Sequence, residues 1–215
     1  MNLLDPSPKS ALEFLPARHD LGSLNKAAKQ CRGCDLYRNA TQVVFGEGRA
    51  HAAILMVGEQ PGDREDQQGK PFVGPAGLLL DKCLESAGID RTEVYVTNAV
   101  KHFKWEPRGK IRLHKKPNSL EIAACRPWLE SEIAAVRPQL VVCLGATAAQ
   151  SLLGSQFRLT KHRGQVFPTK YGPVTATIHP SAILRMPEPA AKEAEIASLV
   201  DDLRVAAEYA AARKP

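Results

Sequence analysis

Four short runs of apolar residues stand out along the chain, and each is bounded by Gly, Pro or polar residues. They are rich in Val, Ile or Leu and cover positions 52–57, 94–100, 140–144 and 174–178. Runs of this length and composition are typical of buried β-strands. We therefore predict four strands.

The segments that follow these runs place apolar residues at helical spacing. Helices are predicted over 77–87, 119–136, 146–153 and 190–211. Gly88 is suited to end the first helix. Asn118 or Ser119 is suited to begin the second, which must end before Pro138.

The alternation of strands and helices predicts an α/β fold. We expect a three-layer α/β/α sandwich whose central, mostly parallel sheet has about four strands and is covered on both faces. A chain of 215 residues fits one such domain. The domain is predicted to span 21–211, with an N-terminal tail at 1–20 and a C-terminal tail at 212–215.

Polar residues gather where the predicted strands end. These positions are 58–63, Asn98, Gly145 and 179–181, the last reading His-Pro-Ser. In open α/β sheets, ligands bind beyond the carboxyl ends of the strands. The sequence therefore predicts one functional site at this edge.

The loop 58–77 contains four acids, five glycines and three prolines. It lacks the Gly-Lys-Ser/Thr ending of a phosphate-binding loop and carries acids where phosphate would bind, which excludes a nucleoside triphosphate site. The loop suits a pocket for a neutral planar ring, with Gln60 at the edge of the ring and Phe72 on its face. The alternative is a surface turn with Phe72 packed into the core.

Asn98 and His179 are the other candidates at the strand ends. The carboxamide of Asn98 can donate and accept, as reading a pyrimidine edge requires, although Asn is also a common turn residue. His179 could donate a hydrogen bond to a developing oxyanion, or it could be a structural histidine.

Positive charge is concentrated in one stretch. The net charge is +6, and 101–116 carries five Lys and two Arg against one acid, so this stretch alone accounts for the excess. His102, Trp105 and His114 are interleaved with these cations. A nucleic-acid contact and a solvated basic loop are both consistent with this composition.

Five cysteines make an odd number, and Cys31 and Cys34 form a Cys-x-x-Cys pair. No apolar run reaches the roughly 18 to 20 residues of a membrane span, and the N-terminus has no secretion signal. We therefore expect a cytoplasmic protein in which this pair binds a metal or cluster. Cys83 and Cys143 are expected in the core, which leaves Cys125 as a further ligand.

Several motifs together resemble those of iron–sulfur uracil-DNA glycosylases, close to family 4. They are Gly-Glu-Gln-Pro-Gly at 58–62, Gly-Lys-Pro-Phe-Val-Gly at 69–74, Asn98 and His-Pro-Ser at 179–181. Gln60 and the basic loop ending in His114 resemble the UdgX type specifically. Its usual Lys-Arg-Arg-Ile-His reads Lys-Ile-Arg-Leu-His at 110–114 here, with Ile111 in place of the first Arg.

This resemblance implies a uracil-DNA glycosylase-like fold and a DNA repair activity that excises uracil from DNA, preferably single-stranded. It assigns the residues to roles, with catalytic groups Glu59, His114 and His179, uracil-binding groups Gln60, Asp63, Phe72 and Asn98, and DNA-binding groups Lys110, Arg112, Ile183 and Leu184. Glu59 would stabilise the positive sugar and accept or orient a proton of His114. Neutral His114 would attack C1′ and leave a covalent adduct.

The resemblance also implies a [4Fe-4S] cluster held by Cys31, Cys34, His102 and Cys125. Zinc in the same ligands is the alternative, since three Cys and one His also form structural zinc sites. We expect a monomer that binds uracil-containing DNA and no membrane. Two other functions stay open: a multiple-turnover glycosylase without capture, and a non-catalytic protein that binds uracil or abasic DNA.

Overall fold

The computed structural model describes residues 10–213, so the predicted tail residues 1–9 and 214–215 lie outside the described part. The strands of this part are β1 Ile54–Gly58, β2 Val94–Asn98, β3 Trp105–Arg108, β4 Ile111–His114, β5 Leu140–Leu144, β6 Phe167–Thr169 and β7 Gly172–Thr177. The α-helices are α1 Leu21–Ala28, α2 Asp63–Gln68, α3 Pro75–Ser86, α4 Ser119–Val136, α5 Ala146–Leu153, α6 Leu159–His162, α7 Pro180–Leu184 and α8 Pro189–Ala211.

Five strands form the central sheet, in the order β2-β1-β5-β7-β6. The four predicted strands are parallel to one another, and β6 adds an antiparallel edge. The register pairs Gly58 with Asn98 and Leu144 with Thr177, so the strand ends meet at one edge. The predicted α/β sandwich is confirmed, with one strand more than expected.

Each face of the sheet buries its own apolar layer. One layer packs the sheet against α3, α7 and α8, with Leu80, Ile183 and Leu203 fully buried. The other packs it against α4 and α5, with Leu129 and Ala148 fully buried. These layers hold the carboxyl edge of the strands rigidly. In residues 10–213, no helix is long and apolar enough to cross a membrane.

A third cluster joins the N-terminal segment to the start of α4. Ala11, in a short 3₁₀ helix, is 1% exposed and packs with Cys31, Cys125 and Trp128. A Cβ on Gly33 would lie 2.5 Å from the Ala11 nitrogen, so only glycine allows this approach. The described residues of the predicted tail 1–20 therefore include a packed segment.

The basic stretch forms a two-stranded antiparallel hairpin, β3 and β4, separate from the central sheet. Trp105 pairs with His114, and Gly109 adopts a positive φ of 60° at the turn. The apolar-run pattern did not predict these strands, because polar residues dominate both of them.

A buried ion pair lies between the sheet and α4. The side chains of Lys101 and Glu132 are 1% and 0% exposed and bond to each other. The Lys101 ammonium also donates to Thr97 Oγ1 at 2.6 Å and to the Asn98 carbonyl at 2.7 Å. Glu132 Oε1 accepts from the Tyr95 hydroxyl at 3.0 Å. Every charge and hydroxyl in this network therefore has a partner.

Lys101→Met should destabilise the protein by about 3–5 kcal/mol, because it leaves the Glu132 carboxylate buried without a counter-charge. Urea unfolding measures the loss. Adding Glu132→Gln should recover part of it, and Lys82→Met on the exposed surface of α3 is the control. A loss no larger than that of the control would show that the pair does not carry this energy.

Candidate active site

The carboxamide of Gln60 ties the basic hairpin to the end of β1. Its Oε1 accepts from the Lys104 N–H at 3.0 Å, and its Nε2 donates to the Lys115 carbonyl at 2.9 Å. The Lys104 carbonyl lies 3.3 Å from the same Nε2. These contacts on both sides of the hairpin fix which end of the carboxamide is the oxygen.

The same carboxamide contacts the candidate nucleophile. Gln60 Nε2 lies 2.8 Å from His114 Nε2. Since the Gln60 nitrogen is a donor, His114 Nε2 must accept, and the proton of the neutral imidazole lies on Nδ1. Gln60 thus orients His114. Its predicted contact with uracil would require an amide that is already engaged by the hairpin.

Glu59 approaches the same ring nitrogen. Its Oε1 is 3.7 Å from His114 Nε2. The sequence prediction that Glu59 handles the proton on the other ring nitrogen does not match this geometry, because the carboxylate faces the unprotonated nitrogen. A sugar placed against Nε2 would therefore lie beside a negative charge.

The ring of His114 is accessible and weakly basic. Its side chain is 49% exposed. Burial lowers its pKa below the usual value, Glu59 opposes this shift, and Arg185 adds to it. The imidazole is therefore predominantly neutral at neutral pH, with its Nε2 lone pair bonded to Gln60.

Phe72 and Asn98 border a narrow space above Gly58. A Cβ on Gly58 would lie 2.3 Å from Asn98 Oδ1 and 2.9 Å from Phe72 Cζ, so any larger residue would fill the space. Phe72 has a positive φ of 56°, and its ring stacks on that of His179, with centroids 6.1 Å apart and an interplanar angle of 25°. The Phe72 ring thus lies beside both the carboxamide of Asn98 and the imidazole of His179.

The turn that carries Phe72 is fixed by an acid from α2. Glu65, which is 8% exposed, accepts from the Gly74 N–H at 2.7 Å. A Cβ on Gly77 would lie 1.7 Å from the Phe72 carbonyl oxygen, so the first turn of α3 requires glycine at this position. The positive φ of Phe72 is held by this packing.

His179 has a defined tautomer. Its Nδ1 accepts from the Ser181 N–H at 3.0 Å, so the neutral ring carries its proton on Nε2. Burial lowers its pKa to about 4, and Arg185 and His114 contribute. His179 is therefore a neutral hydrogen-bond donor at neutral pH.

Arg112 braces the hairpin against α2. Its Nε donates to Asp63 Oδ1 at 2.5 Å and its Nη1 donates to Asp66 Oδ2 at 2.6 Å. The guanidinium also lies over the rings of Phe103 and Trp105, at 5.4 and 5.5 Å from their centroids. This arrangement commits Arg112 to the fold rather than to the DNA contact that we predicted.

Asp63 is engaged by the same brace. Gln67 Nε2 donates to its second oxygen at 2.7 Å. The predicted contact of Asp63 with uracil would have to displace Arg112 or Gln67.

Most cations of the basic stretch are paired. Lys101 and Lys104 bond to Glu132 and Glu121, and Lys115 bonds to Glu106 at 2.8 Å. Within residues 10–213, the cations of this stretch without an ion-pair partner are Arg108, Lys110 and Lys116. Within this stretch, these three cations are the ones free to make the predicted DNA contact. Of the three, Lys110 is the residue for which the sequence predicted this contact.

Ile183 cannot fill a gap in DNA from its present position. It is 0% exposed and belongs to the core between the sheet and α8. Its neighbour Leu184 is partly exposed at the end of α7. The structure therefore corrects the predicted insertion to Leu184 alone.

Three of the predicted cluster ligands lie together. Burial, opposed by Lys101 and reinforced by nearby Cys34 and Cys31, raises the pKa of the Cys125 thiol to about 12. The Lys101 N–H donates to Cys125 Sγ at 3.3 Å, and the Trp128 indole donates to Cys31 Sγ at 3.2 Å. Donors aimed at sulfur suit thiolate ligands, and hydrogen bonds of this kind tune iron–sulfur clusters.

His102 is less clearly part of this group. Its side chain is buried, with 6% exposed. Burial lowers its pKa to about 4, and the negative charge of Asp66 opposes this shift. Across residues 10–213, no group of three or more His, Cys, Asp or Glu is arranged to hold a metal ion. The thiols share one buried cluster and accept from nearby N–H donors, but the described residues do not define a metal-binding set.

Known proteins resemble this chain over most of its length. Residues 45–204 match the profile of the family described as the Uracil DNA glycosylase superfamily. The chain belongs to this superfamily. A type-4 uracil-DNA glycosylase of Thermotoga maritima is 40% identical over 164 residues, which cover 75% of this chain and 82% of the relative.

Two more distant relatives are also uracil-DNA glycosylases. A type-4 uracil-DNA glycosylase of Archaeoglobus fulgidus is 36% identical over 78% of this chain and 85% of its own length. A type-5 uracil-DNA glycosylase of Pyrobaculum aerophilum is 29% identical over 63% and 64% of the two chains. The resemblance to the superfamily and to its type-4 members is confirmed.

Sequence reasoning missed the residues that support this superfamily site. They are Thr41, Glu65 and Asp66 around the loop, Lys101 and Glu132 below it, and Arg185 beside the histidines. A signal existed only for Glu132, which falls between Leu129, Ile133 and Val136 on the apolar face of α4. An acid in that position indicates a buried partner.

Arg112→Lys should loosen the hairpin, because one ammonium cannot reproduce the two-pronged contact with Asp63 and Asp66. Hydrogen bonds to charged groups are worth about 1.5–3 kcal/mol, so amide exchange in β3 and β4 should become about tenfold to a hundredfold faster. Hydrogen exchange measures this change. Arg108→Lys is the control, because Arg108 lies next to the turn and has no ion-pair partner in the described residues. Equal exchange rates in the two variants would contradict the bracing role of Arg112.

Proposed function

We propose that the protein excises uracil from DNA by cleaving the bond between C1′ and N1. The observation that carries this proposal is the arrangement in which Phe72 and Asn98 meet above Gly58 and the Phe72 ring is stacked with His179, whose proton lies on Nε2. A planar pyrimidine has there a face to stack on, a carboxamide to read its edge and a donor for its oxygen. The type-4 names of the relatives support the same reaction.

The base must first leave the helix, because its reactive bond is not accessible within a duplex. Lys110 would hold a phosphate, and Leu184 would occupy the space that the base vacates. Single strands require no unpairing, so we expect them to be preferred. A monomer suffices for these contacts.

Bond cleavage sends the electron pair to uracil and leaves positive charge on the sugar. The Nε2–H of His179 would donate to the oxygen on which negative charge develops, and a neutral donor does so without adding a charge to the pocket. Glu59 would stabilise the positive C1′. The proposed roles of the two residues therefore match the two charges that form.

Capture follows if His114 reaches C1′ before water. Nε2 would release Gln60, use its lone pair to form a bond to C1′, and become part of an imidazolium. Loss of the Nδ1 proton to solvent would leave a neutral, stable adduct. The contact between Glu59 and Nε2 supports this path, because both groups would face the same carbon.

Incubation with uracil-containing single-stranded DNA should give a protein–DNA band that survives denaturing electrophoresis. His114→Ala should abolish the band, because it removes the attacking nitrogen. His162→Ala, a histidine of α6, is the matched control and should leave it unchanged. Alkali treatment of the remaining DNA reports excision separately.

Other results would assign the alternative functions. Alkali-sensitive strands without a shifted band would indicate a glycosylase that turns over without capture. DNA binding without either signal would indicate a non-catalytic uracil or abasic-DNA binding protein, and would overturn the proposed excision.

We also propose that Cys31, Cys34 and Cys125, with His102 as the fourth ligand, hold a [4Fe-4S] cluster. His102 follows Lys101, whose N–H donates to Cys125, so the chain brings its segment to the thiols. The cluster would cross-link the N-terminal segment, the residues after β2 and α4. The neighbouring thiols, the buried environment and the N–H donors support this assignment.

Purified protein should be brown, with broad visible absorption, and Cys125→Ala should remove the colour and lower the unfolding temperature. Cys143→Ala, a buried thiol on β5 away from the proposed ligands, is the control and should keep the colour. A colourless protein with one equivalent of zinc would assign the site to zinc, and a metal-free protein would refute both.

A further inference from the structure

A groove begins at Lys116, two residues beyond the candidate nucleophile. It runs between the first half of α4 and helix α5, towards the turn that joins β6 to β7. Its lining includes Lys116 and Ser119, Arg126 of α4, Thr147 of α5, and Ser155 beyond α5. The groove lies on the sheet face opposite α3 and α8.

Five polar residues of this groove have side-chain groups that are free to bind a ligand. Within residues 10–213, Lys116 and Arg126 make no ion pair, and the side-chain hydroxyls of Ser119, Thr147 and Ser155 have no hydrogen-bond partner. Thr147 is 6% exposed although its side chain lines the groove. The groove therefore offers donors that the fold does not use.

Arg126 gives the strongest indication of a missing ligand. Its Nε is buried and has no partner in the described part of the chain. The acid that acts on it, Glu130, already accepts from Lys170 at 3.1 Å and from Tyr171 at 2.6 Å. A buried guanidinium nitrogen without an acceptor is costly, so an anion that enters the groove would stabilise it.

We propose that this groove binds backbone phosphates of the DNA strand that flanks the flipped nucleotide. Two unpaired cations and three hydroxyls suit phosphate oxygens, which accept hydrogen bonds from both. Lys116 would connect the groove to the pocket, since only Lys115 separates it from His114. This inference rests on the proposed action on DNA and adds a second contact region beyond the hairpin.

The proposal predicts a change in salt dependence. Each phosphate contact to a single strand contributes about 0.7 to the slope of log affinity against log salt. Lys116→Gln with Arg126→Gln should therefore lower the slope by about 1.4, and Lys116→Gln alone by about 0.7. Fluorescence anisotropy with a long strand that contains thymine in place of uracil measures binding without chemistry.

The matched control removes two cations from the opposite face, with Lys82→Gln on α3 and Lys192→Gln on α8. Its slope should equal that of the unmodified protein. Equal slopes for the control and the groove variant would overturn the proposal. Lys116 is exposed, so its single variant tests the groove even if the change at Arg126 impairs folding.

A separate excision assay with a uracil-containing strand distinguishes failure of this proposal from failure of the proposed function. If the unmodified protein cuts the strand while the groove and control variants show equal slopes, the groove alone is overturned. Failure of the unmodified protein to cut any strand would refute excision, while the slopes would still test the groove.

Discussion

The buried pair of Lys101 and Glu132 is the interaction on which both halves of the candidate site depend. The Lys101 ammonium bonds to the carbonyl of Asn98 at the end of β2, while its backbone N–H donates to Cys125. Glu132 accepts hydrogen bonds from the hydroxyls of Tyr95 and Thr97 on β2. The pocket and the thiols are therefore attached to one rigid element. A buried charge can serve this purpose only when each of its bonds is satisfied.

The basic hairpin illustrates how little of a charged segment is available to a ligand. Arg112, which reads as a DNA contact in the sequence, is held by Asp63 and Asp66 of α2. Gln60 holds the opposite side of the hairpin through two backbone segments. These contacts position His114 with a free ring face and a defined tautomer. Arg112 therefore serves mainly to fix the shape of the hairpin.

Electrostatics in the pocket favour neutral histidines. Burial lowers the pKa of His179 to about 4, and that of His114 also lies below its usual value. Arg185 lowers the pKa of both rings, and His114 lowers that of His179. A neutral His179 can donate to a developing negative charge, and a neutral His114 retains a lone pair. Glu59 places a carboxylate beside His114 Nε2.

The sequence by itself determined the α/β architecture, because consecutive apolar runs and helical spacing reflect burial within each element. It also indicated the site edge, since parallel strands bring Gly58, Asn98 and His179 together wherever the helices lie. Only the tertiary structure decided what each polar side chain does. Whether Arg112 faces DNA or α2, and whether Ile183 is free or buried, depends on partners that are distant along the chain. Contacts between residues that are distant along the chain leave no periodic pattern in a single sequence.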